Sequence, residues 1–433
     1  MQKRWNYTEA LSYIYSLQKF GIKFGLSKTE NILKAFGDPH KKKIYVHIGG
    51  TNGKGSVAVF IASVLKEAGY KVGLYTSPHL VRFTERFRIN GEEIKREEAA
   101  DLISELKKSF FPKEPPTFFE ATTAMAIIYF ARHKTDIDIM EVGMGGRLDA
   151  TNVIHPAVSV ITNIGLDHQQ YLGSRLIDIA KEKAGIIKNG VELVTGVSQP
   201  KLVSFFKEIA SQKNAPFFRI GTDIRYRSRN GFVDYYGIKA ELKGLKTRMD
   251  SLFQARNVAT SVAVLELLRE KGFKIEDEAI YRGIKNAFWP GRMHVISDSP
   301  LIILDGAHNS PAVKMLFRTI RERYPNKRII LVLGIMKDKN IKAMLRAIVP
   351  KSDYVIYTRP VYSRAAEPQL LESIGVQFNK KGEVIPKLTD AIERAKDIAS
   401  SDDLILITGS LFTVGEALAY LDPKNYSPDK ITE

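Results

Sequence analysis

The stretch "HIGGTNGKGS", residues 47–56, decides how the rest of the chain is read. Its glycines and lysine have the character of a loop that holds nucleotide phosphates, yet it departs from the general pattern G-x-x-x-x-G-K-[ST]. Ile48 stands six positions before Lys54 where that pattern has glycine, and Gly55 follows where it has serine or threonine. Gly49, Gly50, Gly53 and Gly55 permit close backbone approaches. A helix beginning near Lys54 turns free N–H groups and its positive dipole end toward the loop, and Lys54 adds a full charge. A phosphate cradle built on residues 51–56 is therefore expected, with Thr51, Asn52, Gly53, Lys54, Gly55 and Ser56 touching ATP. Gly55 has no hydroxyl for a metal, so the magnesium ligands must come from elsewhere. Ser56 is expected to meet phosphate.

Working outward, "KIYVHI" (43–48) precedes the loop and a helical pattern (55–69) follows it. "KVGLYT" (71–76), helices near 96–109 and 120–133, "DIDIMEVG" (136–143), "AVSVITNIG" (157–165) and a helix near 174–187 continue the alternation. Such alternation indicates parallel strands joined by crossover helices. Residues 218–242 alternate apolar and polar around Asn230-Gly231, the pattern of a β-hairpin, before a helix over 254–272. "FWPGRM" (288–293) has the Pro and Gly of a hinge. Four further strands, 301–306, 328–334, 353–358 and 403–409, then define a second unit. The expected fold is α/β: an N-terminal phosphate-loop-type, mainly parallel sheet with helices on both faces (1–288), a linker (289–299), and a smaller Rossmann-like α/β domain (300–433).

The bulk numbers narrow the function. The chain has 433 residues, enough for two domains. It has no cysteine, which excludes disulfides, thiolate metal sites and a cysteine nucleophile. No apolar run is long enough to span a membrane, and the N-terminus reads as a helix rather than a signal peptide, so a cytoplasmic location without membrane association is expected. Lys+Arg 65 against Asp+Glu 48 gives +17, a surface suited to anionic partners. Without a nucleic-acid-binding signature, small anions such as ATP or a polycarboxylate fit better than nucleic acid.

Ligands of open parallel sheets sit at the carboxyl ends of strands. "TSPHL" (76–80), "EVGMGGRLDATN" (141–152) and "TNIGLDH" (162–168) all fall there, as do "DGAHN" (305–309), "TRP" (358–360) and "TGS" (408–410) in the second unit. Glu141 ends an apolar strand, where an acid is costly unless used or paired. It is the leading magnesium ligand, and Ser77 the leading hydroxyl. His168 is a weaker candidate, because Mg²⁺ prefers oxygen.

Together "HIGGTNGKGSV", "TSPHL", "EVGMGGRLDATN", "ITNIGLDHQQYLG", "KEKAGIIK", "PGRM" and "DGAHN" resemble the folylpolyglutamate synthase/dihydrofolate synthase family of the Mur ligase superfamily, in order over residues 20–420. The T-N-G-K-G-S loop is that family's own form. The resemblance implies an ATP-dependent ligase that phosphorylates a folate carboxylate and joins L-glutamate to it, with folate or dihydropteroate as acceptor and a monomeric state. It implies two Mg²⁺ sites: Ser77 and Glu141 at one, Glu141, His168 and Lys183 as a carbamate at the other. It also implies that Asn257, Arg292 and Asp305 meet ATP, that His308 lies near the acyl phosphate or glutamate, and that Ser410 binds glutamate. With Lys54 and Lys183, His308 forms the catalytic set. Arg82 and Arg86 are candidates for folate carboxylates, and residues 118–126 for the pterin. From the residues alone, Lys183 reads as a surface lysine, Arg82 and Arg86 as a solvated face, and 118–126 as helix core. Two other functions stay open: a Mur-type ligase acting on a cell-wall precursor, and a nucleic-acid-binding ATPase.

Overall fold

The computed structural model describes all residues except 1–4, 22, 24, 111–113, 230, 250, 379–381 and 430–433. Short, wholly apolar runs become strands covered on both faces, as parallel sheets require. The first body is built on eight: β1 (Tyr45–Gly49), β2 (Val72–Tyr75), β3 (Phe87–Ile89), β4 (Glu92–Glu93), β5 (Ile137–Glu141), β6 (Val158–Ile161), β7 (Glu192–Thr195) and β8 (Phe217–Arg219). Their order is β4-β3-β2-β5-β1-β6-β7-β8. The run from β2 to β8 is parallel, and β3 and β4 add an antiparallel edge. β1 is central, with β5 and β6 on either side, so the loops after these three strands meet at one edge.

Helices Lys54–Glu67 and Leu252–Glu270 pack in the core on one face; Arg96–Lys108 and Phe118–Arg132 pack in the core on the other. The hairpin is present as β9 (Arg225–Arg229) and β10 (Phe232–Tyr236), extended by β11 (Glu241–Lys246). Asn230 of its turn lies outside the described residues. The second body is a six-stranded sheet of β12 (His294–Asp298), β13 (Leu301–Asp305), β14 (Ile329–Leu333), β15 (Tyr354–Arg359), β16 (Gly382–Lys387) and β17 (Leu404–Thr408), in the order β12-β13-β17-β14-β15-β16. Only β12 runs antiparallel.

One boundary needs correction. Residues 294–298 are not linker: they pair with β13 as the edge strand of the second sheet. Edge strands keep one side in water, so their apolar pattern is diluted, and the preceding Pro-Gly drew the linker too far. No described helix is long and apolar enough to cross a membrane.

Candidate active site

β1 delivers the chain into the loop and helix Lys54–Glu67 carries it away. Two glycines are obligatory. Gly50 has φ +132°, and a Cβ there would sit 1.9 Å from Thr162 Oγ1; Gly53 has φ +86° at the helix N-cap. The first turn leaves its N–H groups directed out of the helix. Lys54 Nζ lies 3.3 Å from the carbonyls of Gly50 and Thr51. The missing hydroxyl at position 55 now has a reason. A Cβ on Gly55 would come within 3.1 Å of Trp289 Nε1 and 3.7 Å of Glu141 Oε2, so side chains from two other elements already occupy that direction.

The loop is braced by the segment that follows β6. Thr51 Oγ1 bonds Gly165, and Asn52 N–H donates to Asn163 Oδ1 at 3.0 Å. The Ser56 hydroxyl is buried and accepts Gln254 Nε2 at 3.2 Å. Asn257 Nδ2 donates to Gln254 Oε1, and its amide sits against Gly53.

Glu141 is buried with one donor among the described residues, the Ser77 N–H at 3.1 Å from Oε2. Burial raises its pKa, against the pull of Lys54 and Arg292. Ser77 Oγ and the His168 ring make no hydrogen bond among the described residues. His168 sits at φ +50°, and burial lowers its pKa to about 4. Lys183 is no surface lysine: it is 4% exposed, and Nζ donates to the Gly50 carbonyl at 2.8 Å. Burial, with Lys54 nearby, lowers its pKa to about 7. Open oxygens on a buried carboxylate and a hydroxyl, beside a phosphate loop, suit a hard divalent cation. No three Asp, Glu or His side chains gather into one ligand shell among the described residues, so phosphate and water would complete it.

From the second body, Arg292 lines the same cleft as Ser77, His79, Arg88, Glu141 and Trp289, and its guanidinium makes no hydrogen bond among the described residues. Asp305 is buried, and burial raises its pKa; its two oxygens accept Met293 N–H and Ala307 N–H, each at 3.0 Å, which fixes the chain beside Arg292. His308 Nδ1 donates to the Gly306 carbonyl at 2.9 Å, and Nε2 is 3.3 Å from Asp167 Oδ2.

Three single residues and one stretch among the candidates stand apart from this group. Ser410 caps helix Leu411–Leu421: its Oγ accepts Thr413 N–H at 3.0 Å, is 2.8 Å from Thr413 Oγ1 and is buried. Arg82 is held by Glu93 at 2.8 Å and by the Asn425 carbonyl. Arg86 is buried, donates to His79 Nδ1 at 2.9 Å and lies over the Phe118 ring. Neither arginine is a solvated face. Residues 120–126 are all buried in the helix core.

The sequence reading passed over Asp167, Asn309, Lys339, Arg88 and Trp289. Asp167 and Asn309 stand inside quoted motifs, and Arg88 stacks over Trp289 at 5.4 Å, beside a hinge whose Pro-Gly drew the attention. Lys339, in the loop after β14, carried no local signal.

Comparison with known proteins agrees with this geometry. Residues 48–265 match the Mur ligase middle domain and residues 291–411 the Mur ligase glutamate ligase domain. The chain is 36% identical to the dihydrofolate synthase/folylpolyglutamate synthase of Bacillus subtilis (strain 168), over 95% of this chain and 98% of that protein. It resembles the structure of Escherichia coli FolC in complex with DHPP and ADP, with TM-score 0.89 and 30% identity, covering 96% of this chain and 98% of that one. A bifunctional folylpolyglutamate synthase/dihydrofolate synthase of Yersinia pestis c092, complexed with AMPPNP and Mn ion, gives TM-score 0.87 and 30% identity, covering 96% and 98%. With the phosphate loop, the open Glu141 carboxylate and the second body's Arg292 in one cleft, the chain belongs to the folylpolyglutamate synthase/dihydrofolate synthase family of the Mur ligase superfamily.

Proposed function

We propose that this chain is an ATP-dependent ligase adding L-glutamate to the terminal carboxylate of a folate. The carboxylate oxygen attacks the γ-phosphorus of ATP and ADP leaves. The amine of glutamate then displaces phosphate from the acyl carbon, leaving an amide. A carboxylate is a poor electrophile and an acyl phosphate a good one, so positioning and charge neutralisation do most of the catalysis. The N–H groups at the start of helix Lys54–Glu67 and the Lys54 ammonium receive the phosphates. Arg292 adds charge from the second body, and Asn257 and Asp305 border the nucleotide. His308 faces the acyl centre.

Magnesium, when bound, would neutralise phosphate charge and polarise the transferring group. Ser77 and Glu141 would hold one ion; His168, Glu141 and carbamylated Lys183 would hold the second. The neutral amine favoured by a buried lysine near pKa 7 is the form that adds carbon dioxide. The observation carrying this reading is the buried Glu141 carboxylate beside the phosphate loop, left with a single donor among the described residues. The protein is read as monomeric and cytoplasmic.

The test measures ADP release with dihydropteroate and with tetrahydrofolate, each with and without L-glutamate. Release that needs both acceptor and glutamate supports the reading, and the active acceptor assigns folylpolyglutamate or dihydrofolate synthase activity. Ligation of UDP-linked muropeptides instead, or release stimulated by DNA and indifferent to glutamate, rejects it.

A further inference from the structure

Asp167 follows β6 in the first body and is 8% exposed. Its partners come from the second body. Oδ1 accepts Lys339 Nζ at 2.7 Å, Oδ2 accepts Asn309 Nδ2 at 3.2 Å, and His308 Nε2 lies 3.3 Å from Oδ2. The Lys339 side chain is only 9% exposed.

Asn309 extends the contact to the phosphate loop. Its Nδ2 donates to Asn52 Oδ1 at 2.9 Å, its Oδ1 accepts Asn52 Nδ2 at 3.2 Å, and Oδ1 also caps helix Ser310–Arg323 through Ala312 N–H at 3.0 Å. With the bond to Asp167, the amide uses both donors and both acceptor sites. A buried ion pair is tolerated only when its geometry and remaining hydrogen bonds are well met. Here every bond except the cap depends on the two bodies being together.

We propose that Asp167 is a positioning residue. With Lys339 and Asn309 it clasps the two bodies, and in the clasped arrangement alone it orients His308, so that the chemical step waits on closure. Gly306 fixes one nitrogen of the ring from within the second body; Asp167 supplies the other contact across the cleft. This rests on the ligase reading for His308's role, though the clasp itself does not.

The chain has no cysteine, so Glu208→Cys and Gln369→Cys, both exposed, give a clean pair for distance measurement by fluorescence transfer. With AMPPNP and Mg²⁺ present, Lys339→Met should lengthen or broaden that distance relative to the labelled parent. In ligation assays, Asp167→Asn and Lys339→Met should each lower kcat about 30-fold, with KM for ATP within about threefold. The double variant should lose no more than about threefold beyond the worse single, since both break one unit. Lys339→Arg, which keeps the charge, should restore most of the activity and guards against a simple folding defect. An unchanged distance, additive losses, or kcat within threefold of the parent overturns the clasp. A parent that does not ligate overturns the function proposed above, and the distance measurement then still decides the clasp.

Discussion

The two ends of one five-residue strand set the structural and the functional carboxylate side by side. β5 begins with Ile137-Asp138 and ends with Glu141, both acids are buried, and burial raises the pKa of both. Asp138, at the amino end, is closed off by the protein. Thr135 donates to Oδ1, Lys43 stands 3.5 Å from Oδ2, and Lys43 is itself anchored on the carbonyl and hydroxyl of Thr135. Glu141, at the carboxyl end, receives one backbone N–H and, among the described residues, no cation at contact distance. Each carboxylate accepts one hydrogen bond among the described residues, and Asp138 Oδ2 accepts none, so what separates the structural acid from the ligand is the buried counter-charge that Lys43 gives Asp138 and that Glu141 lacks among the described residues.

Breaking Glu141 should have the largest effect. Glu141→Ala is expected to lower ligation at least about 10³-fold while the melting temperature moves by no more than a few degrees, because the lost interaction is with bound ions rather than with the fold. Steady-state ligation and a thermal melt check both halves. Normal turnover in that variant would falsify the metal role. Asp138→Ala should behave oppositely. It strands the Lys43 ammonium, 9% exposed, without its counter-charge, which costs about 3–5 kcal/mol of stability. Denaturant titration reads that loss, and kcat of the folded fraction should stay within about twofold. If both variants lose stability and activity together, the contrast along β5 is wrong.

The lysines repeat the contrast. Lys43 is paired with Asp138, whereas Lys183 is buried with the Gly50 carbonyl as its one hydrogen-bond partner among the described residues, and its pKa falls to about 7. Lys183→Ala should slow turnover about 10–100-fold, with partial rescue by acetate or propionate, and stripping carbon dioxide from the parent should mimic it. Parent activity should also fall as pH drops below about 7, where the amine holds its proton. The stability sign follows from the same shift: the folded group has a lower pKa than the unfolded lysine near 10.5. The unfolded chain therefore binds more protons between about pH 7 and 10.5, and stability rises with pH across that window. Full activity with an unmodified Lys183 would contradict the carbamate.

Much of this was legible before the structure. Parallel strands buried on both faces read as continuous apolar runs, and the loops at their carboxyl ends carry Ser77, Glu141 and His168 as the fold class requires. The burial of Lys183 was not legible. Helix Leu176–Ala184 carries ordinary charges, and it is sunk by a long-range contact: a Cβ on Gly185 would meet Arg147 Cα at 2.3 Å, and one on Gly146 would meet the Glu182 carbonyl at 2.9 Å. No local periodicity encodes that approach. Arg82 was misread for a similar reason. Its partner Glu93 arrives through the short β3–β4 hairpin, whose second strand is only two residues long.

Ser410 and Ser77 give the smallest and most discriminating test. Both follow strands at a ligand-bearing edge; Ser77 was expected to hold magnesium and Ser410 to bind glutamate. Ser77 makes no hydrogen bond through its hydroxyl among the described residues, while the Ser410 Oγ accepts the Thr413 N–H as an N-cap. Ser410→Ala should therefore cost about 1 kcal/mol of stability and leave KM for glutamate within about twofold. Ser410→Asp, which retains a capping oxygen, separates the roles further: a cap tolerates the carboxylate, whereas a glutamate site would repel its substrate's own. A tenfold rise in KM for glutamate with Ser410→Ala, at unchanged stability, would return Ser410 to the substrate side and show that a satisfied hydrogen bond does not exclude a ligand role in this fold.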